Sequence, residues 1–179
     1  MRRPSWHRRR STVSTSELTS GVVYIHSAPG AVCPHVERAV ADVLGTRCAL
    51  RWTAQPAAPG QLRAEYVWSS APGTGARLAA ALLAWPILRF EITEDPSAGV
   101  DGERFSHVPD LGLWRGRTGA NGDIVVGEDQ LRTLVAECRD AESFRHRATE
   151  LLGSSWDEAL EPFRSSGEGP PVERLHSVG

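Results

Sequence analysis

Between Val22 and Thr93 the spacing of apolar residues switches repeatedly between the strand and helix periods, and the order of the switches leaves few topologies open. Val22-Val23-Tyr24-Ile25 is continuously apolar, β-branched and aromatic, the pattern of a central strand. Val36, Ala39, Val40, Val43 and Leu44 then recur at helical spacing, with Pro34 suited to the first turn and Gly45 to the stop. Cys48, Leu50 and Trp52 alternate with more polar neighbours. After the loop from Gln55 to Gly60 the alternation resumes at Leu62, Ala64, Tyr66 and Trp68, which predicts an antiparallel hairpin with a long proline-rich loop. Pro72-Gly73-Thr74-Gly75 opens a second helix with Leu78, Leu82 and Trp85 on one face, and Pro86 ends it. Leu88, Phe90 and Ile92 alternate as a fourth strand. Over residues 21–95 this order predicts an α+β fold, a ferredoxin-like βαββαβ plait with both helices on one side of a four-stranded antiparallel sheet. The other side is left open.

Residues 105–164 carry apolar groups that need burial. Leu111–Arg115 and Asp123–Val126 flank the turn dipeptide Asn121-Gly122 and predict a C-terminal β-hairpin. Glu128 and Asp129 start a helix carrying Leu131, Leu134, Val135 and Cys138, and Phe144, Ala148, Leu151 and Leu152 mark another. A capping box from Ser155 to Glu158 starts a short third helix with Trp156, Leu160 and Phe163. Hairpin and helical extension are expected to close part of the open face. With 179 residues, 40% of them apolar, the chain supports one core, assigned to residues 21–164. Residues 1–20 read as a disordered basic leader and residues 165–179 as an irregular C-terminal tail.

Charge and composition narrow the function. The basic complement is arginine without a single lysine, which excludes Schiff-base lysine chemistry and a Walker-type phosphate lysine. The net charge of −2 is uneven: Arg2, Arg3, Arg8, Arg9 and Arg10 face Glu17 alone in the leader, leaving 15 arginines against 21 acids, or −6, beyond it. Such a body repels nucleic acid. The longest apolar run, Leu78 to Leu88, is interrupted by Pro86 and falls short of the roughly 18 residues a membrane span needs. No apolar segment of export-signal type follows the arginines, so a cytoplasmic location is expected. Cys33, Cys48 and Cys138 make an odd set, and no disulfide framework is expected.

The densest chemical cluster is His26, Cys33 and His35, with Glu37 one turn on; the strand-to-helix loop between them could bring a thiol beside an imidazole, or three donors around zinc. Packing of Cys33 and loop hydrogen bonding by the histidines is the favoured account, because no third catalytic group or oxyanion hole is in evidence. Gly73 and Gly75 sit where helix N–H groups can hold an anion, but without a Walker lysine or a third dinucleotide glycine the segment reads as a tight strand-to-helix loop. Arg51, Arg63 and Arg89 alternate with core positions beside Glu65 and Glu91, and predict cross-strand ion pairs or, as the sharper alternative, a platform for an anionic ligand. Tyr24 is the sole aromatic of the first strand, too little for an RNA platform. Asp110, Asp123, Glu128 and Asp129 read as caps and turn residues. The balance favours a non-catalytic ligand- or partner-binding module, its partner a protein or a small acidic ligand. An enzyme built on Cys33, His26 and His35 is the alternative and an RNA-binding module the third reading. No cofactor is expected, zinc being the one metal this donor set would suit.

The segments Gly21–Pro29, Cys33–Glu37, Trp52–Gly60, Leu88–Glu91, Gly122–Ile124 and Leu160–Arg164 with Gly167-Glu168-Gly169 together resemble an actinobacterial family known as domain of unknown function 3145. The resemblance runs from residue 21 to about 178 and leaves the basic leader outside. It implies no activity and no site residues, only a hint of an accessory role in fatty-acid metabolism.

Overall fold

The computed structural model describes residues 18–165. β1 (Thr19–Pro29) leads into α1 (Cys33–Leu44), followed by β2 (Thr53–Ala54), β3 (Gln61–Ser70), α2 (Thr74–Leu82) and β4 (Arg89–Glu94). β5 (Gly102–Val108), β6 (Gly112–Thr118) and β7 (Ile124–Val125) come next, then α3 (Glu128–Glu137), α4 (Ala141–Leu152) and α5 (Ser154–Ser165). The expectations for residues 1–17 and 166–179 lie outside the described residues, while Thr19 and Ser20, placed in the leader by the sequence, begin β1.

The seven strands among the described residues join one antiparallel sheet in the order β2-β3-β1-β4-β5-β6-β7. The α+β class agrees with the periodicities. The sheet order differs from a four-stranded ferredoxin-like plait, because the sheet continues past β4. The predicted hairpin, β6 and β7, does not fold over the open face; it extends the sheet through β5. β5 escapes the periodicity because charged Glu103 and Arg104 and polar Ser106 and His107 interrupt its apolar alternation. His107 is nonetheless buried, its Nδ1 2.8 Å from the Leu88 carbonyl and its ring stacked on Phe90.

The alternation of β1, β4 and β5 sends Val23, Ile25, Phe90, Ile92 and Phe105 to one face, where Val36 and Val40 of α1 and Leu78 and Leu82 of α2 complete the core. Each such side chain contributes about 1.5–3 kcal/mol on burial. The strand expected at Cys48–Trp52 is absent, and only Thr53 and Ala54 pair with β3. Glu37 of α1 explains why: its Oε1 accepts from the Leu50 amide at 3.3 Å and the Trp52 indole at 2.8 Å, drawing the segment to the helix and away from the sheet. α2 begins at Gly73 and Gly75, whose amides donate to the two oxygens of buried Glu94 at 2.6 Å each. The tight strand-to-helix loop expected there is found, and the protein's own carboxylate takes the amides that an anion would use.

The second face of the sheet is partly covered by α5, twelve residues long and running through Pro162. Gly153 turns the chain from α4 into α5 at φ +76°, tight against the Trp114 ring. Trp156 donates to the Gly112 carbonyl at 2.9 Å, and Leu160 is fully buried. α3 and α4 lie more loosely, with Leu131, Val135, Phe144 and Leu152 exposed.

Candidate functional site

Period-two alternation that sends Phe90 and Ile92 into the core sends Arg89, Glu91 and Thr93 to the opposite face, under α5. There Glu91, with 8% of its side chain exposed, receives His26 Nε2 at 2.7 Å, Arg164 Nε at 2.7 Å and the Ser106 hydroxyl at 3.3 Å. Arg164 also donates to Asp157 at 2.8 Å, and Arg104 donates to both Asp157 oxygens at 2.9 Å. Burial by itself pushes the Glu91 carboxyl up, but the hydrogen bonds and charges of His26 and Arg164 outweigh it and hold the group well below the usual carboxylate range. Burial likewise opposes the charge on Arg164, and Glu91 followed by Asp157 reverses that, so the guanidinium stays charged. This network spans β1, β4, β5 and α5. It fastens the helix to the sheet, and every charge in it has a partner.

Two neighbouring arginines are left out of it. β3 and β4 flank β1 on either side, so Arg63 and Arg89 straddle the irregular stretch of β1 where His26 and Ser27 lie between two register shifts. Both lie on the second face, Arg63 by alternation with buried Ala64 and Arg89 by alternation with Phe90. Arg63 Nη1 and Arg89 Nε are enclosed and have no acceptor among the described residues. The Arg89 guanidinium lies 4.7 Å over the Phe163 ring. The cross-strand pairing expected with Glu65 and Glu91 is not found, because His26 and Arg164 take Glu91. Arg51 is exposed ahead of β2 and stays apart from this row. Gln55 braces the corner by donating to the His26 carbonyl at 2.6 Å and the Phe163 carbonyl at 3.2 Å.

His26, Cys33 and His35 do not converge. Cys33 packs in the core on the helix side of the sheet and donates to the Pro29 carbonyl at 3.5 Å, while His26 faces Glu91 on the other side. Burial pushes the Cys33 thiol up, against a smaller lowering by its own helix-start backbone. Exposed His35 stacks on Trp85. Among the described residues no three His, Cys, Asp or Glu side chains are grouped to hold a metal ion. Tyr24 stacks on His26, and burial raises its hydroxyl pKa, with Glu65 and Glu91 adding to it.

A groove of about 540 Å³ opens between β6, α3 and α4 over Trp114, Leu134 and Leu151. Its arginines, Arg115 and Arg147, turn to Glu103 and Glu137, so neither offers an open charge to a ligand there. Arg164, the residue that organises the second face, escaped sequence reasoning as a site residue. Its signal was spacing: Asp157, Leu160 and Arg164 share one helical face.

Comparison with known proteins finds one family model, described as "Protein of unknown function (DUF3145)", matching residues 22–177. No curated protein and no solved structure matches the chain. Among the described residues no helix is long and apolar enough to cross a membrane.

Proposed function

Because the chain belongs to the DUF3145 family, whose function is unknown, we propose from the geometry alone that it is a binding module for a small anion, a carboxylate or a phosphate, held between Arg63 and Arg89 beside His26. The observation that carries this reading is the pair of enclosed guanidinium N–H groups without acceptors. An arginine does not give up its proton, and an unmet buried donor costs about 1–3 kcal/mol. Within the same face Arg164 and Nη2 of Arg104 are engaged by carboxylates, while Arg104 Nε, like Arg63 Nη1 and Arg89 Nε, lacks an acceptor among the described residues, and a bound anion would supply one for Arg63 and Arg89. Phe163 covers one face of the Arg89 guanidinium, so an anion would bind in the guanidinium plane, where the donors point. Residues 19–94, with α1 and α2 on one side, form in this reading a ferredoxin-like unit, extended by β5, β6 and β7. The position of both helices on the core side supports it.

Calorimetric titration with inorganic phosphate and, separately, with a dicarboxylate such as succinate tests the assignment and distinguishes the two chemistries. Arg63→Gln and Arg89→Gln are each expected to weaken the preferred anion about tenfold or more, the range of a charge-assisted hydrogen bond. Absence of saturable binding of either anion, or binding indifferent to both substitutions, overturns it.

A further inference from the structure

The outer edge of β3 carries a second, independent inference. The Ser20 carbonyl accepts from the Asp95 amide, which turns the peptide groups of Ser20, Val22 and Tyr24 toward β4. Peptide groups alternate along a strand, so Gly21, Val23 and Ile25 face β3, where they meet Trp68, Tyr66 and Ala64. The N–H and C=O groups of Glu65, Val67 and Ser69 therefore point outward. The Gln55 amide donates to the Gln61 carbonyl on this same outer side, consistent with that alternation. β2 covers only Leu62 and Arg63. Beyond them no strand among the described residues pairs with the edge, and Val67 at its centre is 68% exposed. The opposite edge of the sheet ends in β7, two residues long. Exposed edges are commonly blunted by proline, charged side chains, a bulge or shortness, and the stretch Ala64–Ser70 carries only one of these, the charge of Glu65.

We propose that this edge pairs with β3 of a second copy of the chain, antiparallel about a two-fold axis at Val67. Outward groups meet whenever the axis passes through a residue of the strand; at Tyr66 the second strand would run into β2, and at Trp68, Glu65 would fall opposite Ala71, beyond the end of β3. At Glu65 the axis would set that carboxylate against its own copy and run the second strand into β2. At Ser69 it would place Val67 opposite Ala71, beyond the end of β3. At Val67 the axis sets Val67 on Val67, Glu65 opposite neutral Ser69, and Tyr66 opposite Trp68 on the helix side, and no like charges oppose. Ser70 of the second copy falls opposite Ala64, one residue short of where β2 begins. The strand window and the pairing window have the same length.

Sedimentation velocity over a concentration series tests this on the full chain. Wild type is expected at twice the chain mass, and Val67→Pro as a monomer with an unchanged circular dichroism spectrum, since the Val67 amide bonds nothing within its own sheet. Val67→Glu and Val67→Arg are each expected to be monomeric alone and to form a heterodimer when mixed, an outcome that only an axis at residue 67 produces. A wild type that stays monomeric at all concentrations, including one that instead accepts an unrelated peptide strand, overturns the proposal. So does a dimer that survives Val67→Pro, or a mixture that fails to pair. None of these outcomes bears on the anion site, which lies at the other end of β3.

Discussion

Glu91 is a carboxylate taken out of water in the middle of a sheet, and it stays charged because His26 and Arg164 meet it from two sides. A group whose folded pKa lies below its unfolded value stabilises the fold fully above the unfolded value, about 4.3 for Glu, and loses that contribution as pH falls toward the folded value. Glu91→Gln is therefore expected to lower stability at pH 7 by about 3–5 kcal/mol, the range for breaking a buried ion pair. Urea unfolding of both proteins should show the gap closing below about pH 4. Cys33 behaves in the opposite sense: buried and with its thiol pKa raised, it should resist alkylation at neutral pH in the folded protein and react on unfolding. Peptide mapping after brief iodoacetamide treatment reads this directly. Close approach governs Gly21, where an added Cβ would stand 1.9 Å from the Thr93 carbonyl and 2.6 Å from the Trp68 ring. The glycine leaves room for the indole beside it.

At the scale of elements, α2 and α5 show how one residue can dock a whole helix. Glu94 meets the first amides of α2, so Glu94→Ala should cost about 1–3 kcal/mol through the abandoned buried donor at Gly75, measured by thermal or urea unfolding. Leu160 anchors α5, and Leu160→Ala should cost about 2–5 kcal/mol and raise amide exchange in α5 before β1 or β4. Both helices are legible from their apolar spacing, although α5 begins at Ser154, ahead of the capping box expected from Ser155 to Glu158. Their docking is not, because nothing at Glu94 marks it as the cap of a helix that ends twelve residues before it. β5 was illegible for a related reason: His107 and Ser106 look solvent-facing in a periodicity, yet Leu88 and Glu91 satisfy their polar atoms. The apparent strand at Cys48–Trp52 failed where a side chain from another element, Glu37, competed for the same backbone.

For the whole molecule, local patterning determined the α+β class, the succession β1, α1, β3, α2 and β4 and the one-sided packing of α1 and α2, because period and burial are properties of neighbouring residues. Tertiary structure decided the rest. Whether the hairpin at Asn121-Gly122 covers a sheet or lengthens it depends on which strand edge is free when it arrives, and β4 offered one that β5 took. Which arginines stay open depends on which reaches Glu91 first in space. Arg89, two residues from it on the same strand, loses it to Arg164, 73 positions away in sequence, because α5 lays its side chain directly on the carboxylate. Charge partners on a sheet face are chosen by distance across the face, and that distance exists only once the chain has folded.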